Sequence, residues 1–97
     1  METIELEFKA SREIFKRAHV GVVGSGDLEV LLEPAAGTIS HITIRTSVDG
    51  FRNIWEAIFE RFFSRYDGVA RIEINDAGAT PGIVLLRLEQ AVEISEQ

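Results

Sequence analysis

Ninety-seven residues carrying ten Lys/Arg against sixteen Asp/Glu give a net charge of −6, a surface that repels phosphate backbones; no basic block interleaved with aromatics offsets it, so nucleic acid is not an expected partner. The absence of cysteine excludes disulfides, thiolate metal sites and cysteine nucleophiles, so any thiol chemistry must come from an attached group. No apolar run approaches the roughly 18 residues of a membrane span, and the acidic, alternating start Met1-Glu2-Thr3-Ile4-Glu5-Leu6-Glu7 is unlike a signal peptide.

The expectation is therefore one cytoplasmic domain over residues 1–97, free of membrane, with an apolar fraction of 45% sufficient for a core. Ile4, Leu6 and Phe8 alternate with Glu5, Glu7 and Lys9, which predicts a strand with one buried face. Ser11 to Arg17 reads either as one helical turn or as an irregular approach. Val20, Val22 and Val23 then lead into Gly24-Ser25-Gly26-Asp27-Leu28, and Leu28, Val30, Leu31 and Leu32 lead out. Two β-prone runs meeting at a short Gly/Ser turn predict a β-hairpin, because Ser-Gly supplies the unusual φ angles of a two-residue loop. Its arms are expected from about His19 to Gly24 and from Asp27 to Glu33. Pro34 to Gly37 is a turn rich in breakers.

Ile42, Ile44, Thr46 and Val48 alternate with Thr43, Arg45 and Ser47 in a second half-buried strand. Asp49 is placed to cap a helix beginning at Gly50. Phe51, Ile54, Trp55, Ile58 and Phe62 form its apolar stripe, leaving Phe59 and Phe63 to one side as a conceivable docking patch. Arg61 and Arg65 suit its C-terminal end, and Gly68 reads as its stop. Ile72 and Ile74 mark a further strand, and Asp76-Ala77-Gly78-Ala79 a loop. Thr80-Pro81 then signals a helix start, with Val84, Leu85, Leu88, Ala91 and Val92 as the apolar face. One-sided strands and amphipathic helices assemble most simply as an α+β, two-layer sandwich. It has a mostly antiparallel sheet with two amphipathic helices packed on one face. A crossover from strand 40–48 through the helix to strand 69–76 would give one parallel pair. Thr43, Arg45, Arg71 and Glu73 would then face solvent.

On turn chemistry alone, Ser25 is a good turn former; its position also puts a hydroxyl in open solvent, accessible to modification by another protein. It has no machinery of its own for hydrolysis. His19 lies six residues upstream, roughly 20 Å along an extended strand, and His41 shows no acidic partner nearby. The run Gly21-Val22-Val23-Gly24-Ser25-Gly26 lacks a P-loop lysine and a following helix, so it is not a phosphate cradle. Asp27 either hydrogen-bonds the turn backbone or orients an incoming transferase or metal-bound nucleotide. The loop at 76–80 either caps the last helix or, if it shares an edge with the hairpin, receives phosphates. Glu5 and Glu7 share a strand face without suggesting a metal.

The run Val20-Gly21-Val22-Val23-Gly24-Ser25-Gly26-Asp27-Leu28-Glu29-Val30-Leu31-Leu32-Glu33 resembles the malonate decarboxylase acyl carrier proteins, or delta subunits. So do Thr46-Ser47-Val48-Asp49-Gly50-Phe51, Ile72-Glu73-Ile74-Asn75-Asp76-Ala77-Gly78-Ala79-Thr80-Pro81-Gly82 and Leu86-Arg87-Leu88-Glu89-Gln90-Ala91, in the same order from about position 18 to 91. The resemblance implies a non-catalytic carrier in which Ser25, within Gly24, Gly26 and Asp27, bears 2'-(5''-phosphoribosyl)-3'-dephospho-CoA through a phosphodiester. The implied partners are a prosthetic-group transferase, a malonyl-transferring enzyme, and the transferase and decarboxylase subunits of a malonate decarboxylase complex. The rival reading is a small non-enzymatic interaction or regulatory domain with an unmodified hairpin.

Overall fold

The protein is described here by a computed structural model covering residues 1–97. The alternating segments become strands β1 (Glu2–Lys9), β2 (Ala18–Gly21), β3 (Leu28–Pro34), β4 (Ile39–Thr46) and β5 (Ala70–Asp76), with helices α1 (Arg52–Phe63) and α2 (Pro81–Ser95). One sheet holds all five strands in the order β1-β4-β5-β3-β2. Every neighbouring pair is antiparallel except β4 and β5, the parallel pair that the α1 crossover predicts.

Register explains the core. Ile4 lies opposite Ile44, Ile42 opposite Ile72, Ile44 opposite Ile74, and Val30 and Leu32 opposite Ile74 and Ile72. Because side chains alternate across a strand, these pairings gather every one of those aliphatic groups on a single face. All are fully buried beneath the two helices with Trp55, Phe59, Val84 and Leu88, each contributing on the order of 1.5–3 kcal/mol by leaving water. The opposite face carries Thr43, Arg45, Arg71 and Glu73, exposed or half-buried as expected. Arg45 and Glu73 pair across it at 3.7 Å, a surface contact worth about 0–1 kcal/mol.

Of the two readings of Ser11 to Arg17, the irregular one holds: the segment is bridged to Gly68 through Arg12, with Ile14 buried and Phe15 exposed. Three local expectations need correction. Asp49 does not cap α1, which starts not at Gly50 but two residues beyond it at Arg52, behind an uncapped Phe51; the Asp49 carboxylate pairs instead with the N-terminal amine at 2.9 Å. Gly68 does not stop α1, which ends at Phe63; it is buried where any Cβ would collide with the Tyr66 hydroxyl and reach 2.9 Å from Ile14 Cγ2.

The third concerns the face of α1. Phe59 is 0% exposed and Phe63 half-buried, whereas Phe51 and Ile54, read as core, are 44% and 42% exposed. The cause is Phe8 on β1, whose ring stacks on Phe63 at 4.8 Å and lies 6.5 Å from Phe59. Aromatic contact of this kind is worth about 0.5–1.5 kcal/mol beyond area burial, and it turns the helix toward β1. The exposed apolar surface is thus Phe51 and Ile54, with Val48 beside them. No helix is long and apolar enough to cross a membrane.

Candidate functional site

Gly21 decides where the hairpin ends. Its φ of +79° is a conformation L side chains rarely adopt, and a Cβ there would collide with the Leu28 carbonyl oxygen. The chain therefore leaves β2 at Gly21 and rejoins the sheet at Leu28. Val22 to Asp27 is a six-residue loop, and the arms do not extend to Gly24 or back to Asp27 as the valines suggested. Val22 and Val23 are exposed on it rather than paired. The predicted turn survives inside this longer loop. Asp27 N–H donates to the Gly24 carbonyl at 2.9 Å, closing a four-residue turn with Ser25 second and Gly26 third. Gly26 has φ +73°, the value a type II turn requires at that place.

The turn is pinned along its exit side. Gly26 N–H donates to the Ala77 carbonyl at 2.8 Å, and Ala77 N–H donates to the Asp27 carbonyl at 3.0 Å, extending the β3–β5 pairing past Leu28 and Asp76. Asp27 Oδ1 accepts from Leu28 N–H at 2.7 Å and from Arg87 Nε at 3.2 Å, while Oδ2 accepts from Arg87 Nη2 at 2.8 Å. The two-pronged Arg87 contact, then the Leu28 N–H, hold the Asp27 carboxyl below the usual carboxylate range; Asp27 in turn raises Arg87. Asp27 thus bonds the turn backbone, as one reading held, and also a partner that the sequence reading did not assign.

None of these bonds uses the Ser25 hydroxyl, and Ser25 is exposed. Space around it is open: a Cβ built at Gly26 would meet nothing within 4 Å, and one at Gly24 only Val22 Cγ2 at 3.9 Å.

The loop after β5 lies beside the serine turn, the shared edge that a phosphate-receiving role would need. The amides of Ala77, Gly78 and Ala79 are nevertheless occupied. Gly78 N–H donates to Asp76 Oδ2 at 3.2 Å and Ala79 N–H to Oδ1 at 3.0 Å, while Thr46 Oγ1 donates to Oδ2 at 2.8 Å. Thr80 caps α2 by accepting from Ile83 N–H, with Pro81 at the first helical position. Capping is what this segment does. Next to it a cleft of about 210 Å³ opens between the N-termini of the helices, lined by Val48, Phe51, Ile54, Trp55, Ala79 and Pro81 among others.

No catalytic set converges on Ser25. His19 bonds Glu29 at 2.9 Å across β2–β3, and His41 has an acidic partner after all, Glu7 at 3.3 Å on β1. The β1–β4 register places His41 opposite Glu7, a pairing invisible without the strand order. No group of three His, Cys, Asp or Glu is placed to hold a metal ion. The site can present a primary hydroxyl but not deprotonate it, so a base must come from another molecule. Arg87 is the residue that sequence reasoning missed. Its signal was slight: it is the sole basic residue of α2, and nothing in the local sequence names its partner.

A family model described as malonate decarboxylase delta subunit (MdcD) matches residues 15–95. The chain is 51% identical over 94 residues to the malonate decarboxylase acyl carrier protein of Azotobacter vinelandii, covering 96% of this chain and 95% of that protein. It is 53% identical over 94 residues to that of Pseudomonas aeruginosa PAO1, with the same coverage. A chain in the crystal structure of a Pseudomonas malonate decarboxylase hetero-tetramer in complex with malonate superposes with a TM-score of 0.93 at 49% identity. The match covers 97% of this chain and 98% of that one.

Proposed function

This chain belongs to the malonate decarboxylase delta-subunit family, and we propose that it is the acyl carrier subunit of such an enzyme, with Ser25 as its attachment point for 2'-(5''-phosphoribosyl)-3'-dephospho-CoA. The observation that carries the assignment is an exposed hydroxyl, unused by the fold, on a turn whose neighbours are pinned and whose surroundings are open. A bulky phosphodiester can be accommodated there without displacing any contact, so the residues present fit the group.

Ser25 acts once as a nucleophile. Its Oγ forms a bond to the phosphorus nearest the ribose of a triphosphoribosyl precursor as the bond to pyrophosphate breaks, and the hydroxyl proton passes to a base of the prosthetic-group transferase. Gly24 and Gly26 leave the approach clear, and Asp27 holds the turn. When attached, the group supplies a terminal thiol that carries acetyl and malonyl as thioesters. The protein's own contribution is tethering, which replaces bimolecular encounters with local ones at raised effective concentration. The partners are the malonyl-transferring enzyme and the transferase and decarboxylase subunits; the hetero-tetrameric assembly of the similar Pseudomonas structure supports a multi-subunit setting.

The exposed Val48, Phe51 and Ile54 favour a second reading, in which an unmodified loop belongs to a docking module. A Ser25→Ala variant separates the two. The carrier reading expects stability unchanged within about 0.5 kcal/mol, no adduct by intact mass after co-expression with the modifying proteins, and complete loss of coupled malonate decarboxylation. Retention of most activity by Ser25→Ala, or a bare wild-type serine beside an active transferase, leaves the docking module.

A further inference from the structure

Short exposed loops containing two glycines are conformationally loose, because glycine has the most backbone freedom to lose. The backbone bonds to Ala77 restrain only Gly26 and Asp27, on the exit side of the serine loop. On the entry side, the stem of Arg87 passes beside Gly21: a Cβ built there would come 3.6 Å from Arg87 Cδ. The same arginine grips the exit through Asp27 at 2.8 and 3.2 Å. Arg87 therefore grips the exit of the loop with its head while its stem stands beside the entry.

Exposed ion pairs hold geometry poorly, because two long side chains must be ordered for little gain. This pair differs in two respects. Both members are largely shielded, at 27% and 24% side-chain exposure, and the contact is two-pronged. Each end is also oriented by a further bond: Leu28 N–H to Asp27 Oδ1, and Arg87 Nη1 to Gln90 Oε1 at 3.0 Å. Gln90 stands one turn further along α2, so the guanidinium is aimed by the helix itself.

We propose that Arg87 is a positioning residue for Ser25, clamping the loop from α2 through Asp27 so that the transferase meets a preset turn. The role rests on the reading of Ser25 as the acceptor. It also places Asp27 within the clamp rather than in contact with the incoming nucleotide, since both carboxylate oxygens are engaged.

The test uses the full chain with the prosthetic-group transferase and triphosphoribosyl-dephospho-CoA, following Ser25 modification by intact mass, and amide hydrogen exchange at Gly26 and Asp27 on the unmodified protein. Arg87→Gln, Asp27→Asn and the double variant are compared with wild type, and Arg87→Lys serves as the conservative case. Arg87→Gln is expected to fold, to exchange at least about tenfold faster at Gly26 and Asp27, and to be modified about ten- to a hundredfold more slowly, the penalty of a misplaced reacting group. Arg87→Lys, one-pronged, should fall between Gln and wild type. The double variant should lose no more than either single one, because the two residues act as a unit. Multiplying losses would mean that Asp27 and Arg87 act separately and would overturn the clamp, as would Arg87→Gln modified at the wild-type rate, even with faster exchange. A wild-type protein left unmodified would count against the acceptor reading alone; the exchange comparison would still decide whether Arg87 holds the loop, unchanged exchange in Arg87→Gln overturning it.

Discussion

Strand β4 has a buried hydroxyl near each end, and the two are wired differently. At one end Ser40 Oγ donates to the Gly68 carbonyl at 2.8 Å and accepts from Ala70 N–H at 2.9 Å, joining β4 to β5 through backbone groups alone. Around it Ile14, Tyr66 and Val69 are buried, Arg12 lies over the Tyr66 ring, and Ser11 bonds Asp67. At the other end Thr46 reaches β5 through the carboxylate of Asp76, which also gathers the amides of the following loop. That end holds the serine turn, the apolar cleft and the second carboxylate clamp, Asp27–Arg87. At the first end the junction of the strands is packed and made by backbone groups, with the charged Arg12 and Asp67 at its rim. The other is arranged by charged side chains around space. The proposed carrier role uses both: a packed body and an end where partners can reach Ser25.

The sharpest way to break the comparison is to add one methyl group at each end. Gly68→Ala should cost up to about 3 kcal/mol, since Tyr66 and Ile14 must shift in a filled site. Gly24→Ala should change stability by less than about 0.5 kcal/mol, having open space beside it. Urea denaturation of both variants measures the gap, and equal effects would erase the distinction. Next come the hydroxyls. Ser40→Ala leaves a buried carbonyl and amide unpaired and should cost about 2 kcal/mol, whereas Thr46→Val leaves Asp76 two of its donors and should cost about 1 kcal/mol. The Thr46 variant should also show faster exchange at Gly78 and Ala79, a local effect absent from the Ser40 variant.

The smallest expected effect concerns pH. Arg87 holds the Asp27 carboxyl below its ordinary value, so the clamp's contribution is complete above that ordinary value of about 4 and is lost as pH falls through the depressed folded value. Exchange protection at Gly26, corrected for intrinsic rates, should stay flat from roughly pH 7 to pH 5 and weaken only below about pH 4. Weakening between pH 7 and 5 would show that a different group controls the loop.

Much of the sheet could be read from the chain because alternation is a local signal: Ile4, Ile42, Ile44, Ile72 and Ile74 sit where their spacing put them, and the parallel β4–β5 pair followed from the helix between them. The Thr80-Pro81 helix start held for the same reason. What escaped depends on distant partners. The rotation of α1 is set by Phe8 on a strand more than forty residues earlier, which no helical wheel of residues 51–63 contains. At the candidate site, Ser25-Gly26 as the centre of a turn was legible from turn chemistry. The length of the loop was not, because Val22 and Val23 have strand propensity and Gly21 overrides it with a single dihedral. Arg87 lies sixty residues from Asp27, and only the packing of α2 over β2 and β3 brings them together.

Gly21 has a consequence for the heredity of this protein. Every base change that alters a glycine codon's residue adds a side-chain carbon, and at Gly21 that carbon meets the Leu28 carbonyl whatever else it carries. The position therefore has no tolerated neighbours one mutational step away, while Gly24, three places on, has several. A lineage can redecorate Gly24 freely, but it cannot change the residue at the loop's foot without rebuilding the exit from β2.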